Sequence, residues 1–106
     1  MSDSFLLRKA LTTTESPLLS AADSSYFFRT IRFCNVEVLP ANLFLGIVSG
    51  RAVIEHGDWL IYHTPVDAHG YLVIENILLP MGSELRGYAG TADAISMIAS
   101  GVFEGT

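Results

Sequence analysis

Three histidines, His56, His63 and His69, fall in one short stretch together with Glu55, Asp58 and Asp67. Imidazole and carboxylate are sound ligands for zinc or iron. The spacing works against a single centre, because a strand over 58–63 would hold His56 and His63 roughly 20 Å apart at ~3.4 Å per residue. His69 can approach His63 across the turn at Pro65, which supplies two ligands where a site needs three or four. Nucleophiles are no better placed. Ser49 in Gly46-Ile47-Val48-Ser49-Gly50 has the wrong spacing for a Gly-x-Ser-x-Gly elbow. Cys34 lies in an apolar run, where burial suppresses the thiolate. Glu55 and Glu75 can be cross-strand neighbours, but alternation alone does not show it. A domain of this size also has little room for a deep pocket with convergent polar groups. No catalytic residue, metal ligand or cofactor is expected.

Two other groups of residues suit binding rather than reaction. The glycine-punctuated stretch Gly82–Thr91 precedes an expected helix, whose free amides together with Arg86 would hold an anion. Its ligand-binding candidates are Arg86, Gly87, Tyr88, Gly90 and Thr91. Neither a Walker pattern nor a Gly-x-Gly-x-x-Gly fingerprint is present, and glycine there also serves turn geometry. Trp59, Tyr62 and Tyr71 are the partner-binding candidates, since Trp, Tyr and Arg dominate binding hot spots. On a regular strand Trp59 and Tyr62 point to opposite faces, so one of them is expected to project away from the helices.

Gly57-Asp58, followed by apolar residues and then Pro65 and His69, resembles the second conserved motif of the cupins. Cupins are small β-barrels that often bind metal through such a histidine. The proline-to-histidine spacing is one residue short here, Asp67 stands where the motif has glycine, and the first motif is absent before Gly50. The resemblance implies a small cupin-like barrel as the minority fold and carries over no ligand.

The elements that would position these residues read as follows. Ser4 caps a short helix through Leu7 and Leu11, and Ser16-Pro17 opens a second over Pro17–Ala22. Tyr26–Leu39 is aromatic and β-branched, which favours a strand, with a helix over Ser24–Cys34 as the rival. Alternation groups Phe27, Ile31 and Phe33 with Arg29 and Asn35 on one face. Leu43–Val48 is a strand, and Arg51–Glu55 and Asp58–His63 flank His56-Gly57 as a hairpin. Pro65 breaks the second arm, and Tyr71–Leu79 is a further strand. Thr91 caps a last helix with Ile95, Ile98 and Val102 on one face and Gly101 at its end. The expected fold is therefore α+β, one domain over residues 1–106. A four- to five-stranded antiparallel sheet is packed by short N-terminal helices and one C-terminal helix.

Composition decides among functions. Half the residues are apolar and only 16% are charged, where a soluble domain typically carries about 25%. The chain is short of solvating side chains, and large exposed apolar patches mark interaction sites. The net charge of −5 and the scattered basic residues do not make a nucleic-acid footprint. A single cysteine excludes an internal disulfide. No apolar run reaches the ~18 residues of a membrane span, and the N-terminus lacks signal-peptide order, so a cytoplasmic location is expected. The favoured reading is a non-catalytic module that binds a protein partner or itself as a homo-oligomer, and that can act as a small regulator or inhibitor blocking a larger protein. The alternatives are a nucleotide- or phosphate-binding protein using residues 82–91, and a small metal-dependent enzyme centred on His63 and His69.

Overall fold

The computed structural model describes residues 2–49 and 56–105. Its elements are β1 (Ser2–Ala10), β2 (Ser16–Ser20), β3 (Ser24–Asn35), β4 (Ala41–Ser49), β5 (Trp59–Val66), β6 (Tyr71–Leu79), β7 (Ser83–Ala89) and β8 (Ile95–Gly105). One turn of 3-10 helix spans His56–Asp58. The strands form two four-stranded antiparallel sheets, ordered β1-β8-β3-β6 and β2-β7-β4-β5. Two such sheets face to face, in this order, make a jelly roll. The α+β expectation is overturned, since no α-helix occurs among the described residues.

The reason is a periodicity that fits two templates at once. In β8, Ile95, Met97, Ala99 and Gly101 point inward and are buried, while Ser96, Ile98, Ser100 and Val102 point outward. The i, i+3, i+4 set of Ile95, Ile98 and Val102 draws on both faces of this strand. Ile98 and Val102 stand among the outward serines, so a helical stripe is readable where a strand exists. Gly101 ends nothing. It lies opposite Phe28 in mid-strand, where an added methyl would collide with the Phe27 carbonyl. The first expected helix is β1, with Phe5 and Leu7 turned to the core and Ser4, Leu6 and Arg8 outward, paired with β8 along its whole length. The second is β2, an edge strand, which is where a sheet tolerates a proline such as Pro17.

The rival reading of Ser24–Cys34 as a helix also falls, because the segment is β3 and pairs on both sides. Its phase differs from simple alternation. Register slips at Arg29, between Phe28 and Thr30, and this bulge turns Phe28, Ile31, Phe33 and Asn35 inward instead of Phe27. Pro65 does not break β5, which continues to Val66 at the edge of its sheet. The hairpin arm Arg51–Glu55 lies outside the described residues. Its expected turn is the 3-10 turn His56–Asp58, and the return strand begins at Trp59.

The core lies between the sheets. Phe28, Ile31, Phe33, Ile95, Met97 and Ala99 from one meet Leu18, Leu43, Leu45, Ile61, Val66 and Leu85 from the other. Asn35, 2% exposed, ties the layers at one end of this core. Its Nδ2 donates to the Leu39 carbonyl at 2.8 Å and the Val66 carbonyl at 3.0 Å, and its Oδ1 accepts the Glu37 amide at 2.9 Å. One side chain thus holds the β3–β4 connection against β5 of the opposite sheet. Asn35→Ala leaves these backbone groups short of partners and is expected to lower stability by about 2–3 kcal/mol. Urea denaturation checks this, and a loss under about 1 kcal/mol would mean that water replaces the amide.

Candidate functional site

The most structured polar and aromatic surface lies on the outer face of the second sheet. β4 turns Leu43 and Leu45 to the core and Phe44 and Gly46 outward, and β7 turns Leu85, Gly87 and Ala89 inward and Glu84, Arg86 and Tyr88 outward. Phe44 and Tyr88 are direct cross-strand partners. Their rings stack with centroids 4.3 Å apart and planes within 6°. In the next row Arg86, Gly46 and Trp59 stand side by side, with no side chain on Gly46 between the other two.

β5 contributes three rings to this face, which regular alternation would forbid. The step from Thr64 to Ile61 on β5 matches only Leu43 to Leu45 on β4, and the step from Ile61 to Trp59 matches only Leu45 to Gly46. β5 therefore carries an extra residue at two places. Ile61 stays in the core, while Tyr62 and His63 both reach the outer face, helped by the left-handed backbone of His63 at φ 49°. The expectation that Trp59 and Tyr62 point to opposite faces is corrected. Their rings lie 5.1 Å apart, and Phe44 packs edge-on against Trp59, Tyr62 and His63 at 6.2, 5.4 and 5.6 Å. Phe44 is outside the sandwich core, yet these rings leave it only 8% exposed. Tyr62, in contrast, is 62% exposed.

Polar groups border the rings. Asn42 Nδ2 lies 3.3 Å from His63 Nε2. Arg86 donates from Nη1 to Glu15 Oε2 and from Nε to Glu84 Oε1, each at 2.9 Å. The hydrogen bond to Glu84, then that to Glu15, raises the guanidinium pKa, so its charge is fixed and matched. Burial, with the nearby Tyr62 and Glu15, raises the Tyr88 phenol above its ordinary 10.0.

The other predicted residues are distributed differently. Gly82–Thr91 is not a loop before a helix. Ser83–Ala89 is β7, hydrogen-bonded between β2 and β4, and Thr91 opens a turn into β8. Gly87 faces the core, with its Cβ position 2.8 Å from the Phe44 carbonyl oxygen, and the Gly90 amide donates to the Asn42 carbonyl at 2.9 Å. Arg86 and Tyr88 thus join the aromatic face, while Gly87, Gly90 and Thr91 do not. No helix N-terminus is present there to hold an anion. His69 lies in the β5–β6 connection, its amide bound to the Glu37 carbonyl, and the side chain of His56 lies outside the description. Among the described residues no three His, Cys, Asp or Glu side chains converge as a metal site.

Tyr71 belongs to the other outer face, that of the first sheet, where Arg32 sits 4.5 Å over its ring. Cross-strand pairing there builds a row Arg8, Ile98, Arg32, Val73, and beside it a row Leu6, Ser100, Thr30, Glu75. Leu6, Tyr71, Val73, Leu78 and Ile98 are all exposed on this face. It carries two shallow hollows, one of about 200 Å³ bordered by Phe27, Leu78 and Val102, and one of about 280 Å³ bordered by Arg8, Ser96 and Ile98.

Phe44, Glu15, Glu84 and Asn42 escaped the sequence reading. Each falls in an ordinary run, and only the register of β7 with β2 and β4 and the bulges of β5 bring them together. Phe44→Ala is expected to cost about 3 kcal/mol and to shift Trp59 fluorescence to the red as the indole loses its covering ring. An unchanged emission would mean that Trp59 does not pack on Phe44. Tyr88 gives a pH signature. Because the folded state holds its phenolic proton more tightly than the unfolded chain, stability falls as pH rises past 10.0. Tyr88→Phe is expected to remove a tyrosinate absorbance step above that pH and to flatten the decline.

No helix among the described residues is long and apolar enough to cross a membrane. No model of a known protein family matches this sequence, and comparison with curated proteins gives no significant match.

Proposed function

We propose that the chain is a non-catalytic, self-associating module, and that two copies meet through the outer faces of their β1-β8-β3-β6 sheets. The observation that carries this reading is the make-up of that face. An antiparallel sheet with one face on the core commonly presents polar residues on the other. Here Leu6, Tyr71, Val73, Leu78 and Ile98 are exposed instead. Large apolar side chains exposed together on one face support an interaction site in a soluble protein.

A second copy suits the face because it holds both signs of charge. Arg8 and Arg32 flank Ile98, and Glu75 stands in the adjacent outward row, two residues along β6 from Val73. A two-fold interface places the same patch on both sides, so it must be self-complementary. The two hollows give protruding leucine and isoleucine side chains somewhere to seat. Association by surface needs no reacting group, and the polar cluster around Arg86 is held by its own ion pairs. The working location is the cytoplasm, where a free thiol such as Cys34 persists.

Sedimentation velocity and light scattering over a range of concentrations test this. The native chain is expected above its monomer mass of 11.5 kDa, and Ile98→Arg is expected to return it to that mass with its circular dichroism unchanged. A native chain that stays at 11.5 kDa at the highest attainable concentration would end the proposal.

A further inference from the structure

The face opposite the proposed interface differs in kind, and we infer that it binds neutral carbohydrate, with a pyranose ring laid against Tyr62 and Trp59. The inference starts from what the rings are doing. Trp59, Tyr62 and Tyr88 all pack around Phe44, with Tyr62 left 62% exposed. Exposing rings outside a filled core is costly unless something covers them, since aromatic side chains carry large apolar area.

The arrangement selects among ligands. A quaternary ammonium needs an open cage of rings around the cation. Here Trp59 and Tyr62 touch at 5.1 Å, and Trp59 and Tyr88 stand 6.4 Å apart, which leaves no room between them. A phosphate or other anion needs uncommitted positive charge. The guanidinium of Arg86 is clamped between Glu15 and Glu84, so among the described residues of the rim two carboxylates face one cation, which disfavours an anion. Nucleotides are disfavoured on the same ground. What remains is an uncharged ligand with one apolar face and a hydroxyl rim. A pyranose has axial C–H groups on one face to lie on a ring. The hydroxyls of a unit on Tyr62 suit the Asn42–His63 pair beside it, and those of further units along the sheet suit the phenol of Tyr88 and the free lone pairs of Glu84 and Glu15. The ion pairs fix these groups before binding, which lowers the ordering cost of the complex.

Trp59 is the only tryptophan of the chain, so its emission reports on this face alone. The probes are neutral hexasaccharides of glucose, galactose, mannose and N-acetylglucosamine, titrated to about 10 mM to reach the weak end of specific binding. At least one is expected to give a saturable change. Tyr62→Ala should weaken it at least tenfold, and Val38→Ala, an exposed apolar change on the β3–β4 loop, should leave it alone. Tyr62 is exposed, so its loss should not unfold the chain, and circular dichroism checks that. The inference is overturned if no hexasaccharide gives saturation, or if Tyr62→Ala binds as well as the native chain. It is overturned equally if a sugar phosphate binds more tightly than its neutral parent. Emission that changes with protein concentration alone would show a second copy on this face instead.

Discussion

The outer face of the second sheet exists because β5 carries residues that β4 does not match. A regular strand would have sent Trp59 and Ile61 to one side and Leu60 and Tyr62 to the other. With an extra residue between Trp59 and Ile61 and another between Ile61 and Thr64, Ile61 keeps its place in the core while Trp59, Tyr62 and His63 all turn outward. An edge strand can take such irregularity because only one of its sides must satisfy a ladder. The left-handed backbone at His63 is the local cost of it. The aromatic cluster is thus a product of backbone irregularity more than of composition.

The same kind of irregularity limits what could be read from the residues. Strands Leu43–Val48 and Tyr71–Leu79 were legible because their runs are bounded by turn residues and match β4 and β6 closely. The C-terminal strand was not, since Ile95, Ile98 and Val102 satisfy a helical spacing while belonging to both faces of β8. A sandwich strand with apolar residues on its outer face as well loses the clean alternation that would identify it. Phase within β3 was lost for a different reason. The bulge at Arg29 moves Phe28 inward, and nothing in the residue types around it announces an inserted position. Trp59, Tyr62, Arg86 and Tyr88 were singled out in two separate groups, and only the cross-strand register unites them on one surface.

The jelly-roll order does not choose a function. It serves capsid shells, lectins and cupins alike, and sites are grafted onto it. What distinguishes this chain is that its two outer faces are chemically unlike. One is a flat field of aliphatic side chains interleaved with Arg8 and Arg32, and the other a cluster of rings rimmed by carboxylates around Arg86. The low fraction of charged residues has its explanation in both. Alternation fills the inner faces, and the outer faces carry apolar and aromatic residues beside their few charges.

The edges of the sheets favour the proposed contact through a face over one through strand pairing. An unprotected edge strand is a template for another chain, and proteins blunt such edges with proline, charge or bulges. Three of the four edges here are treated in that way. β2 carries Pro17 and a register shift beside it, and β5 carries Pro65 and its two inserted residues. β1 carries Arg8 and Lys9 near its end, while β6 has a left-handed residue at Asn76, φ 58°, and no register shift against β3. The association proposed above covers the exposed Ile98, Val73 and Leu6 through a face, where strand pairing would leave them open. Sheets stack about 10 Å apart when side chains interdigitate, and the hollows beside Leu78 and Ile98 supply the relief for that contact.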